Sequence, residues 1–439
     1  MKLDPSAEYA LKTLREAGCP AWVVGGCVRD SLLGSEPEDW DVCTAALPEQ
    51  TAALFERVAR TGEKHGTVTA LLERPVEITT LRTEGAYLDR RRPSGVSFTD
   101  DIRADLARRD FTINAMAWSP EDGLVDPFGG RDDLAAGVLR CVGDPEARFN
   151  EDALRILRAL RFISRLGLTA EPETARAMRK CAPFLAEISV ERVYSELLGI
   201  LRGERVAKAL MEFPEVVCAA LPELAPMVDC PQPTPHHVYG VWEHTVRAVA
   251  AAPADDTIRL ALLLHDMAKP AKFYLDENGR GHFKGHGAAG GVMAEECLRR
   301  MKTDKETREL VSTLVRIHDD LLPTTEAGMR RLLAKLGEEK LRMLLVIKRA
   351  DGACRAPASA ESMLRLVDAG EALMERVLAE KPPLSVAELA IGGGELMELG
   401  VPRGPEIGRL LEELLGEVLD GELQNERDAL TARARELIE

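Results

Sequence analysis

Gly25-Gly-Cys-Val-Arg29-Asp-Ser-Leu-Leu-Gly-Ser-Glu-Pro-Glu-Asp39-Trp-Asp41 is the stretch from which the rest of the chain is read. Trp22, Val23 and Val24 ahead of it form the end of a strand. The glycines make a turn, a short helix follows, and a loop leads to a second strand that carries Asp39 and Asp41. Two adjacent glycines allow backbone N–H groups to approach an anion, and a helix start beside them favours negative charge. Residues two apart on a strand face the same way. Asp39 and Asp41 are therefore expected to point together, as two carboxylates that share divalent metals must. A phosphate cradle with Arg29 beside a paired carboxylate suggests two-metal phosphoryl or nucleotidyl transfer.

The flanking sequence extends this reading. Residues 5 to 18 have the pattern of an amphipathic helix, and a further helix is expected over roughly 48 to 60. Thr67–Leu72 and Val76–Leu81 predict antiparallel strands joined by a tight turn. Glu77, inside the second, is either on a solvated face or a third carboxylate beside Asp39 and Asp41. Lys64-His65-Gly66 is expected to be a turn. Residues 83 to 100, with Tyr87, Asp89, Arg90, Arg91, Arg92 and Pro93, lack periodicity and predict an arginine-bearing loop.

Composition bounds the class. A chain of 439 residues predicts two to four structural units. Nothing opens like a signal peptide and no apolar run reaches about 18 residues, so no membrane span is expected. Nine scattered cysteines without C-x-x-C pairing predict free thiols in a cytoplasmic setting. The net charge of −16 looks unsuited to nucleic acid, but phosphate binding needs only a local basic track.

That track lies at Asn150-Glu151-Asp152-Ala-Leu-Arg155-Ile-Leu-Arg158-Ala-Leu-Arg161. Asn150 suits a helix N-cap, with Glu151 and Asp152 in the first turn. Ala153, Ile156, Leu157, Leu160 and Ile163 share one side, and Asp152, Arg155, Arg158 and Arg161 the other. Cytosine and adenine each place an amino donor next to a ring-nitrogen acceptor. Asp152 can accept from the first and Arg155 can donate to the second, whereas uracil and guanine would meet like against like.

Together, the Gly-Gly turn with Asp39-x-Asp41, Arg109-Asp110-Phe-Thr-Ile-Asn114, and Glu151-Asp152-x-x-Arg155 resemble the DNA polymerase β superfamily of nucleotidyltransferases. More narrowly, they resemble class II tRNA CCA-adding enzymes and bacterial poly(A) polymerases. The resemblance implies an α+β fold, with a small mixed-sheet nucleotidyltransferase head (1–140) followed by all-α parts. These are a nucleotide-selecting neck (141–205), a body (206–380) and a tRNA-contacting tail (381–439). It implies addition of C, C and A to the tRNA 3′ end from CTP and ATP, with Asp39, Asp41 and Glu77 catalytic and two Mg²⁺ at the aspartates. Gly25, Gly26, Arg29, Arg109, Asp110, Asn114, Asp152, Arg155, Arg158 and Arg161 are the implied nucleotide contacts. Ile188–Leu197 is expected to be a supporting helix, its charged face structural. Poly(A) polymerase and A-adding or CC-adding specialists use the same motifs and stay open. DNA is not an expected partner.

Seven of eight histidines fall between 236 and 318. His244, His265-Asp266 and Asp319 resemble the metal set of the HD phosphohydrolases, with the HD part at about 236–350. That implies a divalent transition metal such as Ni²⁺ or Mn²⁺, and an alternative function as a phosphohydrolase on nucleic-acid ends. Thr307–Asp320 and Met329–Asp351 are expected to be helices. Gly404-Pro405-x-Ile407-Gly408 is either a capped turn or a phosphate-binding helix start.

Overall fold

The computed structural model describes residues 1–62, 66–85 and 95–438 and divides into two compact units, Met1–Ala225 and Pro226–Glu439. Lys64, His65 and the run from Tyr87 through Arg90–Arg92 to Pro93 lie outside the described residues.

A seven-stranded mixed sheet organises the first unit. Its spatial order is Val58–Ala59, Thr67–Ala70, Val76–Thr80, Asp41–Thr44, Ala21–Val24, Ala117–Ser119, Gly123–Val125. The pairings are antiparallel except Asp41–Thr44 with Val76–Thr80, which is parallel and sets Asp41 opposite Glu77. All four residues of Ala21–Val24 are buried, as an interior strand covered on both faces requires. The helix Pro5–Glu16 packs on this strand. Asp4 caps it by accepting from the Ser6 N–H (2.8 Å), and Ala7, Ala10, Leu11 and Leu14 form its buried face.

Gly25 ends the first strand at φ +79°, and a Cβ there would meet Arg109 Nη1 at 2.9 Å. Both the backbone region and the space therefore demand glycine. The short helix Gly26–Leu32 follows directly.

Several expectations are corrected. The helix predicted to run to residue 60 stops at Leu54, because Val58–Ala59 joins the sheet edge against Thr69 and Ala70. The stretch 83–100 is not all loop. Arg82–Glu84 and Val96–Phe98 pair as an antiparallel ribbon, in keeping with its β-branched and aromatic residues. The strand predicted to carry both aspartates begins at Asp41, leaving Asp39 in the preceding bend. Alternation still holds, with Trp40 and Val42 buried and Asp39 and Asp41 exposed.

Asn150 is not an N-cap. It lies within the helix Pro145–Glu151, which Asp144 caps. The chain breaks at Asp152 (φ −147°, ψ 104°), and a new helix runs Leu154–Leu166. Leu154, Ile156, Leu157, Leu160 and Ile163 are buried along it, and the arginines take the other side. Val190–Leu201 packs against this helix.

The second unit is almost wholly helical. The expected helix from Met329 to Asp351 is two, Glu326–Leu336 and Glu338–Ala353, broken at Gly337 with φ +77°. Pro405–Asp420 and Arg427–Ile438 close the chain around a small core of their own that includes Leu396, Leu410, Leu414 and Leu430.

Candidate active site

A cavity of about 500 Å³ opens in the first unit between the Gly-Gly turn and the helix Leu154–Leu166. Gly25, Gly26 and Arg29 line it, with Asp41 on the wall and Asp152 and Arg155 beyond. Arg29, Arg82, Arg108, Arg109, Arg155, Arg158, Arg161 and Arg192 border it, against the carboxylates Asp41, Asp110 and Asp152. Within a chain of net charge −16, this is a concentrated cationic pocket built for a polyanion.

The cations are held in place by named partners. Asp110 Oδ2 accepts from Arg158 Nε (2.8 Å) and lies 2.7 Å from its Nη2. Asp110 Oδ1 accepts from the Phe111 N–H (2.9 Å) and Asn114 Nδ2 (3.3 Å). Asn114 Oδ1 in turn accepts from Arg29 Nη1 at 2.7 Å. One continuous network thus runs from Arg29 through Asn114 and Asp110 to Arg158. Burial alone would raise the Asp110 pKa, but Arg158, Arg155 and the Asn114 amide outweigh it and hold it at about 2.

This pair makes a stability prediction. The folded pKa of Asp110 is depressed, so its contribution is present above the ordinary carboxylate range and is lost as pH falls towards about 2. Asp110→Ala leaves Arg158 uncompensated and should cost about 3 kcal/mol. Urea unfolding at pH 7 measures it. A cost below roughly 1 kcal/mol would mean the pair behaves as a surface contact.

Asp41 is shifted the other way. The residue borders solvent, yet the packing around its carboxyl, then the charge of Glu77 and that of Asp39, raise its pKa to about 6 against the pull of Arg109. Carboxylates crowded in this way repel one another when ionised, and a divalent cation would offset that repulsion. Asp39, Asp41 and Glu77 are all exposed.

At the far end, Asp152 and Arg155 do not stand free. Asp152 Oδ2 accepts from Arg192 Nη2 (2.6 Å), and its Oδ1 from Arg192 Nη1 (3.4 Å) and the Leu154 N–H (3.1 Å). Arg155 Nη1 donates to Glu151 Oε2 (2.6 Å) and the Arg148 carbonyl (3.4 Å), and Nη2 to the Arg108 carbonyl (3.3 Å). Arg161 pairs with Glu196 at 2.7 Å.

Sequence reasoning missed several residues here. Arg192, expected on a merely structural face, lines the cavity against Asp152. Asp105, a buried carboxylate, pins Arg108 (2.7 Å) and Arg109 (3.3 Å) from below. Phe162 presents its ring to the cavity, with the Arg29 and Arg161 guanidinium carbons 5.2 and 4.9 Å from its centroid. The acid–base spacing of Arg192 to Glu196 was a usable signal. Phe162 carried none, because an aromatic on a helix is most often core.

In the second unit, His244, His265 and Asp266 are brought together and buried. Asp319 is not part of that cluster. Its side chain is 56 % exposed, and its carboxylate reaches His286 Nδ1 only at 3.9 Å. Asp351, in the last turn of Glu338–Ala353, takes the place expected for it, 2.8 Å from His244 Nε2. The reason is directional: Asp319 follows the end of its helix and turns outward, whereas Asp351 faces the helix bundle.

The chain matches the family model of the poly(A) polymerase head domain over residues 21–140. It matches a probable RNA- and SrmB-binding site of polymerase A over 167–225 and a putative tRNA nucleotidyltransferase domain 2 over 289–434. It is 34% identical over 431 residues to the CCA-adding enzyme of Geobacillus stearothermophilus, covering 96% of this chain and 94% of the relative. It is 34% identical over 427 residues to that of Levilactobacillus brevis, covering 97% and 96%. Among solved structures, it is similar to the Bacillus stearothermophilus CCA-adding enzyme in complex with CTP, with a TM-score of 0.77, 30% identity, and coverage of 99% and 98%. The Thermotoga maritima CCA-adding enzyme complexed with tRNA shares the fold at a TM-score of 0.59 and 20% identity.

Proposed function

This chain belongs to the CCA-adding enzymes, and from that premise we infer how its cavity builds C, C and A onto the 3′ end of tRNA from CTP and ATP. The single observation that carries the mechanism is the cavity itself. One arginine-rich volume joins a Gly-Gly turn and Asp41 to Asp152 and Arg155.

We assign the triphosphate to the end formed by Gly25, Gly26 and Arg29, with Arg109, Arg158 and Arg161 offsetting its charge. The base lies towards Asp152 and Arg155. A carboxylate offers about four acceptor sites. The Leu154 N–H and the two Arg192 nitrogens occupy three on Asp152, which leaves one for the exocyclic amino group of cytosine or adenine. Arg155 is likewise anchored by Glu151 and two carbonyls, which fixes the direction of its remaining N–H groups towards the ring nitrogen. Asp110 and Asn114 line the cavity and position Arg158 and Arg29.

Nucleotidyl transfer takes a divalent metal, and the raised pKa of Asp41 fits that need. Asp39 and Asp41, with Glu77 as the third carboxylate, would hold it. All-oxygen ligands beside a triphosphate suit Mg²⁺. Held there, such ions would supply Lewis acidity at the attacking 3′-hydroxyl and charge neutralisation at the departing pyrophosphate.

The protonation of Asp41 gives a pH prediction. A carboxyl with a raised pKa is neutral below about pH 6 and a poor metal ligand there. Transfer should rise from pH 5 to 7, with a midpoint that moves lower as Mg²⁺ is increased. Glu77→Gln should displace that acid limb to lower pH and slow transfer by roughly 10²-fold. A Glu77→Gln enzyme with an unaltered rate would remove Glu77 from the metal set.

The roles follow the chain as a head (1–140), a neck (141–205), a body (206–380) and a tail (381–439), the last supported by its separate small core. We place the enzyme in the cytoplasm. No helix among the described residues is long and apolar enough to cross a membrane, and none of the nine cysteines is in a disulfide.

Extension of tRNA ending at the discriminator base, at single-nucleotide resolution, tests the function. CTP should give two additions and CTP with ATP three, with UTP and GTP giving none. A long A ladder would mark a poly(A) polymerase. Extension only of a CC-ending tRNA would mark an A-adding specialist, and arrest at CC with both nucleotides a CC-adding one.

A further inference from the structure

Glycine inside a helix weakens it relative to alanine, so a glycine kept there needs a reason. Gly199, in the helix Val190–Leu201, has one. A Cβ built on it would lie 2.5 Å from Arg161 Cδ, 3.4 Å from its Cγ and 3.7 Å from its Nε. Carbon atoms in ordinary contact stand about 3.5 Å or more apart. The aliphatic stem of Arg161 therefore lies directly across the bare backbone of Gly199. On the reading that Arg161 meets the triphosphate, we propose that Gly199 and Glu196 are its positioning residues. Together they set how far its guanidinium reaches into the phosphate end of the cavity.

Two further contacts hold the head of the side chain. Arg161 Nε donates to Glu196 Oε2 at 2.7 Å. The two side chains are only 22% and 13% exposed, so water competes weakly for this pair. The Arg161 guanidinium carbon also stands 4.9 Å from the centroid of the Phe162 ring, and that of Arg29 stands 5.2 Å from the same ring. The bond to Glu196 is made at Nε, so it does not consume the terminal nitrogens, which an anion in the cavity can bind. An arginine fixed in advance gives up less freedom when a phosphate arrives. Glu196 and Gly199 thus contribute to nucleotide affinity without touching the nucleotide.

A methyl group added at residue 199 has to displace either a helix or a side chain. Ser164, three positions beyond Arg161 and fully buried, donates from Oγ to the Ile200 carbonyl at 2.6 Å. That bond ties the two helices together beside Gly199, so the stem of Arg161 is the part that yields. Arg192, Glu196 and Gly199 follow one another at helical spacing along one face. Arg192 grips Asp152 at 2.6 Å, whereas Glu196 and Gly199 hold Arg161. One helix therefore supports the base end and the phosphate end of the cavity through different residues.

The test measures single additions by the full chain, with CTP or UTP on tRNA ending at the discriminator base and ATP on tRNA ending in CC. Gly199→Ala and Glu196→Gln should each raise KM for CTP and for ATP by roughly tenfold. Both should leave the kcat/KM ratio of CTP to UTP as in the parent, because the base end is untouched, and circular dichroism should be unchanged. In an Arg161→Ala background, Gly199→Ala should add nothing. An effect that persists in that background, or a changed ratio in either variant, would mean general damage to the helix and overturn the proposal. So would an unaltered KM in both variants beside a raised one in Arg161→Ala. An unaltered KM in Arg161→Ala itself would remove Arg161 from the triphosphate, and the positioning role with it. If Gly199→Ala misfolds, Glu196→Gln compared with Arg161→Ala decides alone.

Discussion

Asp41→Asn should reduce CCA addition by roughly 10³-fold or more while leaving the protein as stable as before. Both halves follow from the surroundings of one carboxyl. Asp41 lies opposite Glu77 in the parallel strand register and follows Asp39 by two residues, and in the proposed reading these carboxylates hold the metal. Burial of the carboxyl, and then the charges of Glu77 and Asp39, lift its folded pKa to about 6, above the ordinary carboxylate value. A carboxyl with a raised folded pKa favours the fold while protonated and loses that contribution as pH rises through about 6. At pH 7 the ionised group therefore works against folding, and a neutral asparagine should melt no lower. Single-turnover extension and thermal unfolding on the same preparation check this. Retained activity would exclude Asp41 from catalysis. A melting temperature lower by many degrees would instead make it a structural residue.

Asp152→Ala should relax base choice more than it slows transfer. Discrimination by a well-formed bidentate contact is worth about 1–3 kcal/mol, so UTP rejection should fall by roughly ten- to a hundredfold, read as the kcat/KM ratio of CTP to UTP. Arg192 sharpens the prediction, because it donates to both oxygens of Asp152 and fixes the direction of the remaining lone pair. Arg192→Lys keeps the charge but loses the planar two-nitrogen grip. It should relax the same ratio, to a smaller extent. UTP rejection that survives Asp152→Ala would place the base elsewhere.

The elements closest to the chemistry were the most legible. The Gly25-Gly26 turn, the outward pairing of Asp39 with Asp41, and the arginine face of the helix Leu154–Leu166 all follow from local patterns with short periods. Gly25 could be read because one backbone region excludes other residues. The arginine face could be read because its apolar opposite, from Ile156 to Ile163, repeats at helical spacing. Errors gathered where tertiary partners overrode local preference. Val58 left a plausible helix to complete a sheet edge, and Asp152 became a break between two helices, with its carboxylate bonded to the Leu154 N–H and to Arg192.

By itself, the sequence determined which side chains bring negative charge to the strand that carries Asp41, which bring positive charge to the helix facing it, and which two, Asp152 and Arg155, are proposed to read the base. Those are properties of residue type and of spacing within one strand or one helix. The tertiary structure alone decided which charges meet. Asp110 is strongly acidic because Arg158, forty-eight positions away, reaches it. Asp351 rather than Asp319 joins the histidines because its helix turns that carboxylate inward, 107 positions from His244. Contacts across such separations depend on how helices pack, and no local period in the chain encodes them.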